Sequence, residues 1–109
     1  MVRFAGECIF FTRQLNRLFE NEYYKNQLIR SSASASLNFG EAQCTISDKD
    51  FIFKVSLVVK ELKESINWLK ILDYILDYIK EGDAEKRNLL LIELEELIAI
   101  SSKIIINKK

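Results

Sequence analysis

The stretch SDKDFIFKVSLVVKELKESINWLKILDYILDYI, residues 47–79, decides the fold. Ser47-Asp48-Lys49-Asp50 has the form of a helix start, with a hydroxyl able to accept an orphan amide and two acids facing the positive helix end. Beyond it Phe51, Val55, Val58, Leu62, Ser65, Leu69, Leu72, Leu76 and Ile79 keep a heptad spacing without a slip. Ile52, Val59 and Ile66 widen the stripe. A seam that wide suits a helix touching two or three partners inside a bundle, and exceeds what a two-stranded coiled coil uses. At ~1.5 Å per residue this helix three spans about 50 Å.

The chain on either side has the same character. Gly82 reads as the C-terminal stop of helix three and Asp83 as the cap of helix four, expected from about Ala84 to Asn107. Leu90, Leu94, Leu97, Ser101 and Ile104 form its main stripe, beside Leu91, Ile98 and Ile105. Upstream, Phe4, Cys8, Phe11, Leu15 and Leu18 step by four and three, which predicts helix one from about Arg3 to Glu20. Asn21 reads as an N-cap for helix two, from about Glu22 to Gln43, with Tyr24, Leu28, Ser31 and Ala35 on one stripe. The small side chains from Ser31 to Ser36 lower helix propensity but let a neighbouring backbone approach closely. A Ser-rich linker is the competing reading. The flanking Leu28, Ile29, Leu37 and Phe39 favour helix.

Composition agrees with an all-α domain. Among 109 residues, 49% are apolar and 29% charged, with three glycines and no proline, which argues against a turn-rich sandwich or barrel. One compact domain over residues 1–109 can bury a sufficient core without metal or disulfide. The formal net charge is zero, without the positive excess of most nucleic-acid binders. The chain has no histidine, which removes the commonest general base and zinc ligand. Cys8 and Cys44 form no C-x-x-C pair, so a reduced, cytoplasmic chain is the expectation. No stretch approaches the ~20 apolar residues of a membrane span, and no signal peptide is evident.

Short connections make sequential helices antiparallel, so the expected architecture is an up-down-up-down four-helix bundle. The expected lengths differ. Helix three outreaches helices one and two, so Trp68 to Lys80 should project with helix four alone covering it. There Trp68, Ile71, Tyr74, Ile75 and Tyr78 lie off the main stripe, a surface for a second copy or another partner. The competing reading folds helix four over these aromatics as ordinary core.

Helices two and three also carry a resemblance. Gln27-Leu28-Ile29-Arg30-Ser31, Ser34, Asn38, Glu41-Ala42-Gln43, Ser47, Asp50-Phe51-Ile52, Lys54, Ser56, Lys60-Glu61, Glu64, Trp68-Leu69 and Glu95-Glu96-Leu97 form a connected pattern. It resembles the bacterial four-helix bundle proteins encoded by intervening sequences in large-subunit ribosomal RNA genes. The likeness spans roughly Arg13 to Lys103. The departures are Ser36, where the family usually has Gly, and Leu37, where it usually has Ala; a looser contact around helix two is expected from them. The resemblance implies a four-helix protomer assembling into a ring, typically a pentamer, with a suspected role in binding RNA or DNA. A related branch is similar to the basic accessory proteins of diversity-generating retroelements, whose strong positive charge this chain lacks.

Catalysis finds little support. Glu93, Glu95 and Glu96 could pass for a carboxylate cluster, but adjacent helical positions face different ways, and without histidine no di-iron Glu-x-x-His motif exists. No catalytic residue, metal ligand, cofactor or small-molecule substrate is expected. Arg30 with Glu61 or Glu64 is expected to form a structural ion pair, fixing helix two against helix three or one protomer against the next, because a lone buried charge costs several kcal/mol, roughly, to desolvate. Weak, sequence-blind nucleic-acid contact would fall to Arg13, Arg17, Lys25, Lys103, Lys108 and Lys109. The competing reading is an ordinary solvated face.

Overall fold

In the computed structural model, which describes residues 1–15 and 19–109, the chain forms α1 (Val2–Arg13), α2 (Phe19–Ala42), α3 (Asp48–Tyr78) and α4 (Ala84–Lys108). Helix α3 begins as its cap chemistry requires: the Ser47 hydroxyl accepts the Asp50 amide at 3.2 Å. Its inner face is buried from Val55 through Val58, Leu62, Ser65, Leu69 and Leu72 to Leu76. The stripe frays at both ends, where Phe51 is half-buried and Ile79 exposed.

Helix α3 ends at Tyr78, four residues before the expected glycine. Lys80 adopts φ 57°, and the Glu81 amide donates to the Leu76 carbonyl at 2.9 Å while the Lys80 amide donates to Asp77 at 3.2 Å. This is a Schellman closure with lysine in the left-handed position usually given to glycine. Gly82 follows at φ 77°, and Asp83 caps α4 by accepting the Lys86 amide at 3.1 Å. The turn is filled by Arg87, which is 1% exposed. Its Nε donates to Asp73 at 2.7 Å and its Nη1 to the Glu81 carbonyl at 3.1 Å. A Cβ at Gly82 would stand 3.0 Å from Arg87 Nη1.

The helices alternate in direction, and the broadest contacts are α2 on α3 and α3 on α4. Among the described residues α1 packs only on α2 and α4, so α1 and α3 stand on a diagonal. The bundle measures 48 × 19 × 19 Å. Helix α2 is continuous through Ser31–Ser36, and its small residues permit close approach: Ser31 Oγ lies 2.7 Å from Ser65 Oγ. Ser65 in turn donates to the Glu61 carbonyl at 2.9 Å. Leu37 is exposed, so it does not loosen this seam.

Three expectations need correction. Helix α1 stops at Arg13, not Glu20; Leu15 is still buried, so apolar spacing continued past the helix end and mimicked more helix. Asn21 lies inside α2 and is not its cap. Helix α4 is not alone in covering the end from Trp68 to Lys80: α2 reaches its start, where the rings of Tyr23 and Tyr24 lie 5.9 and 5.8 Å from that of Trp68. Leu15 also reaches this end, within 3.9 Å of the Cβ position at Gly82. The twelve-residue α1 instead leaves the opposite half with three helices. There Lys108 closes the bundle, 3.3 Å from Asp48 and 5.2 Å from the Phe51 ring centroid.

Two substitutions at the α3–α4 turn test this closure. Lys80→Gly relieves the left-handed cost and should stabilise the fold by up to about 1 kcal/mol. Gly82→Ala meets both the positive φ and Arg87, and should destabilise by about 1–2 kcal/mol. Urea unfolding monitored by circular dichroism measures both.

Candidate functional site

A helix with an inner stripe buried on two neighbours has an outer face left over. On α3 that face carries Ile71, Tyr74 and Tyr78, and the two tyrosines are 76% and 82% exposed. Beside them is a shallow groove of about 540 Å³ lined by Glu64, Asn67, Trp68, Lys70, Ile71, Tyr74 and Ile75. Trp68 and Ile75 are half-buried, so the groove has an apolar floor and a partly charged rim. The Trp68 Nε1 atom is buried without an acceptor among the described residues. Exposure here has a different cause from the one expected. The stripe points away from the bundle axis, and among the described residues no helix lies beyond it.

Arg30, Glu61 and Glu64 come together above this groove. Arg30 Nη2 lies 2.6 Å from Glu64 and Nη1 3.4 Å from Glu61, while Nε donates to Gln27 at 3.1 Å. The hydrogen bond that Arg30 donates to Glu64 leads in holding the Arg30 proton more tightly than usual. The guanidinium is about half exposed, so this is a surface clamp joining α2 to α3 and not a buried pair. Exposed pairs contribute ~1 kcal/mol or less.

The expected nucleic-acid residues do not form one patch. Arg13 is exposed at the end bearing the α3–α4 turn, whereas Lys103, Lys108 and Lys109 are exposed along the far end of α4. Lys108 is engaged by Asp48. Lys25 is buried, with its ammonium 2.9 Å from Glu22. Arg17 lies outside the described residues.

Among the described residues, no group of three or more His, Cys, Asp or Glu side chains is placed to hold a metal ion, and no helix is long and apolar enough to cross a membrane. Burial pushes the Cys8 thiol up to about 12, whereas Cys44 is exposed.

The arrangement of two long seams around α3 and a short α1 has relatives. The profile of the 23S rRNA-intervening sequence proteins matches residues 1–100. The chain belongs to that family. A crystal structure from Bacteroides thetaiotaomicron, described as a protein with unknown function from the S23 ribosomal protein family, superposes with a TM-score of 0.72. It is 24% identical, and the match covers 95% of this chain and 89% of that one. No curated protein matches. Membership in the intervening-sequence family brings no known enzyme activity with it.

Sequence reasoning missed Arg87, although the signal existed: Arg87, Leu94 and Ser101 keep heptad spacing on the buried stripe of α4. It also misplaced Lys25, which shares the buried side of α2 with Leu28 and Ser32. Its stem is buried in the manner of a snorkelling lysine.

The thiols provide a direct test. Iodoacetamide at neutral pH should modify one thiol per folded chain, at Cys44, and reach Cys8 only after denaturation. Mass spectrometry of the peptides reads the outcome.

Proposed function

We propose that the chain is a non-enzymatic interaction module, a four-helix bundle that assembles with copies of itself in the cytoplasm. The observation that carries this reading is the outer face of α3, where Ile71, Tyr74 and Tyr78 stand exposed beside the Trp68 groove. Large aromatics left in water on a chain of zero net charge invite association. Buried at a contact, such side chains commonly cost ~2 kcal/mol or more when truncated. The resemblance supplies the expected form, a ring of five.

Light scattering behind size exclusion tests this at micromolar concentration. The wild-type mass should be a multiple of the 12.7 kDa monomer, fivefold for the ring. Tyr74→Lys or Tyr78→Lys should reduce it while leaving the helix signal intact. A wild-type protein that stays monomeric overturns the proposal, as does a charged variant that remains fully assembled.

A second reading, weak sequence-blind binding of RNA or DNA, is supported by the family's description and by Arg13, Lys103 and Lys109, exposed and unpaired among the described residues. Filter binding at ~50 and ~200 mM salt should then show a steep loss of affinity. Absence of binding at the lower salt removes it.

A further inference from the structure

We propose that copies of the chain join head to tail, with the outer face of α3 on one copy against the α1/α4 face of the next. This rests on the self-association proposed above and specifies which surfaces meet. Three features of the bundle point to it.

The first is a second exposed apolar surface. On α4, Leu89 is 57% and Ile92 45% exposed in a groove they line with Glu7 of α1, and Phe10, one turn on from Glu7 along α1, is 60% exposed. Because α1 and α3 stand diagonally, this surface and the α3 face lie on different sides of the bundle. A two-fold pairing of α3 with α3 would cover one surface and leave the other bare in every copy. A head-to-tail contact covers both.

The second feature is charge. On the α3 face Lys60, Lys63 and Lys70 are exposed and unpaired among the described residues; Arg30 offsets one of the two charges of Glu61 and Glu64, and Asp77 is exposed nearby, so the face keeps a small positive excess. On the α1/α4 face Glu93 and Glu96 have no ion-pair partner among the described residues, and Lys86 neutralises Glu7. Arg3 is the remaining cation on that rim. Two α3 faces would set lysines against lysines, whereas α3 against α1/α4 sets lysines against glutamates.

The third feature is height along the bundle. Arg87 bonds to Asp73, which fixes the antiparallel register of α4 on α3. Counting away from that contact at ~1.5 Å per residue, Leu89 and Ile92 fall level with Ile71 and Trp68. Glu93 and Glu96 fall between the levels of Lys70 and Lys63. The two surfaces therefore match with the long axes of neighbouring copies side by side and no step along the axis. A contact without such a step lets the assembly close instead of climbing into a fibre.

The test mixes two variants of the full chain. Variant one carries Tyr74→Lys and Tyr78→Lys; variant two carries Phe10→Lys and Leu89→Lys. All four side chains are exposed, so circular dichroism should show both variants helical. Each alone should run as a monomer by light scattering. Their equimolar mixture should form a complex of one copy of each and grow no further, because one intact pair of surfaces remains. Should variant two fail to fold, Glu93→Lys with Glu96→Lys replaces it. Its loss of assembly should be reversed by mixing with Lys63→Glu, Lys70→Glu chains. A wild type that assembles while the mixture stays monomeric, or a variant two that assembles normally, overturns the head-to-tail contact and leaves self-association standing. A monomeric wild type overturns both.

Discussion

Helix α3 touches α2 along one side and α4 along the other, and everything else in the molecule is arranged around those two seams. A helix so placed can bury only its inner half. Val58, Leu62, Leu69, Leu72 and Leu76 fill that half and form the core with Leu28, Leu90 and Leu94. The short α1 closes the remaining side with Phe4, Cys8 and Phe11, over one half of the bundle length. Among the described residues, the outer half of α3 has no helix lying over it at Ile71, Tyr74 and Tyr78. Its polar or apolar character is therefore free to serve contacts outside the fold, and at Ile71, Tyr74 and Tyr78 it is apolar.

The two ends of the bundle are secured by different chemistry. At one end Lys108 and Lys54 reach Asp48 and Glu41 across exposed gaps, contacts of ~1 kcal/mol or less each. At the other, a buried guanidinium fixes the turn between α3 and α4, where an unsatisfied partner would cost ~1–3 kcal/mol. The end with the stronger closure is also the end that carries the apolar face. A contact surface on a rigid support loses less entropy when it docks, which is why its aromatics can contribute to association.

Much of this was legible because local chemistry and periodicity agreed. Ser47 and Asp83 cap α3 and α4, and the heptad stripe of α3 is its buried face. The misreadings arose where one signal stood for two structures. Leu15 keeps its apolar spacing and its burial after the helix has ended, so the pattern could not report the break at Arg13. Lys80 adopts a glycine-like conformation without being glycine, so the stop was placed at Gly82. Lys25 and Arg87 carry charges that composition assigns to the surface, while their stems and partners hold them inside. The exposed face of α3 was visible as residues off the main stripe, but the relative lengths of the helices gave the wrong reason for it.

Trp68 is the sole tryptophan of the chain and lines the groove on the α3 face, so it reports directly on whether that face is covered. The deciding measurement is acrylamide quenching of its fluorescence in the wild type and in Tyr78→Lys at equal concentration. Quenching should be weak in the wild type and several-fold stronger in the variant, at an unchanged helix signal. Equal quenching in the two proteins would contradict the assignment of the outer face of α3 as a contact surface.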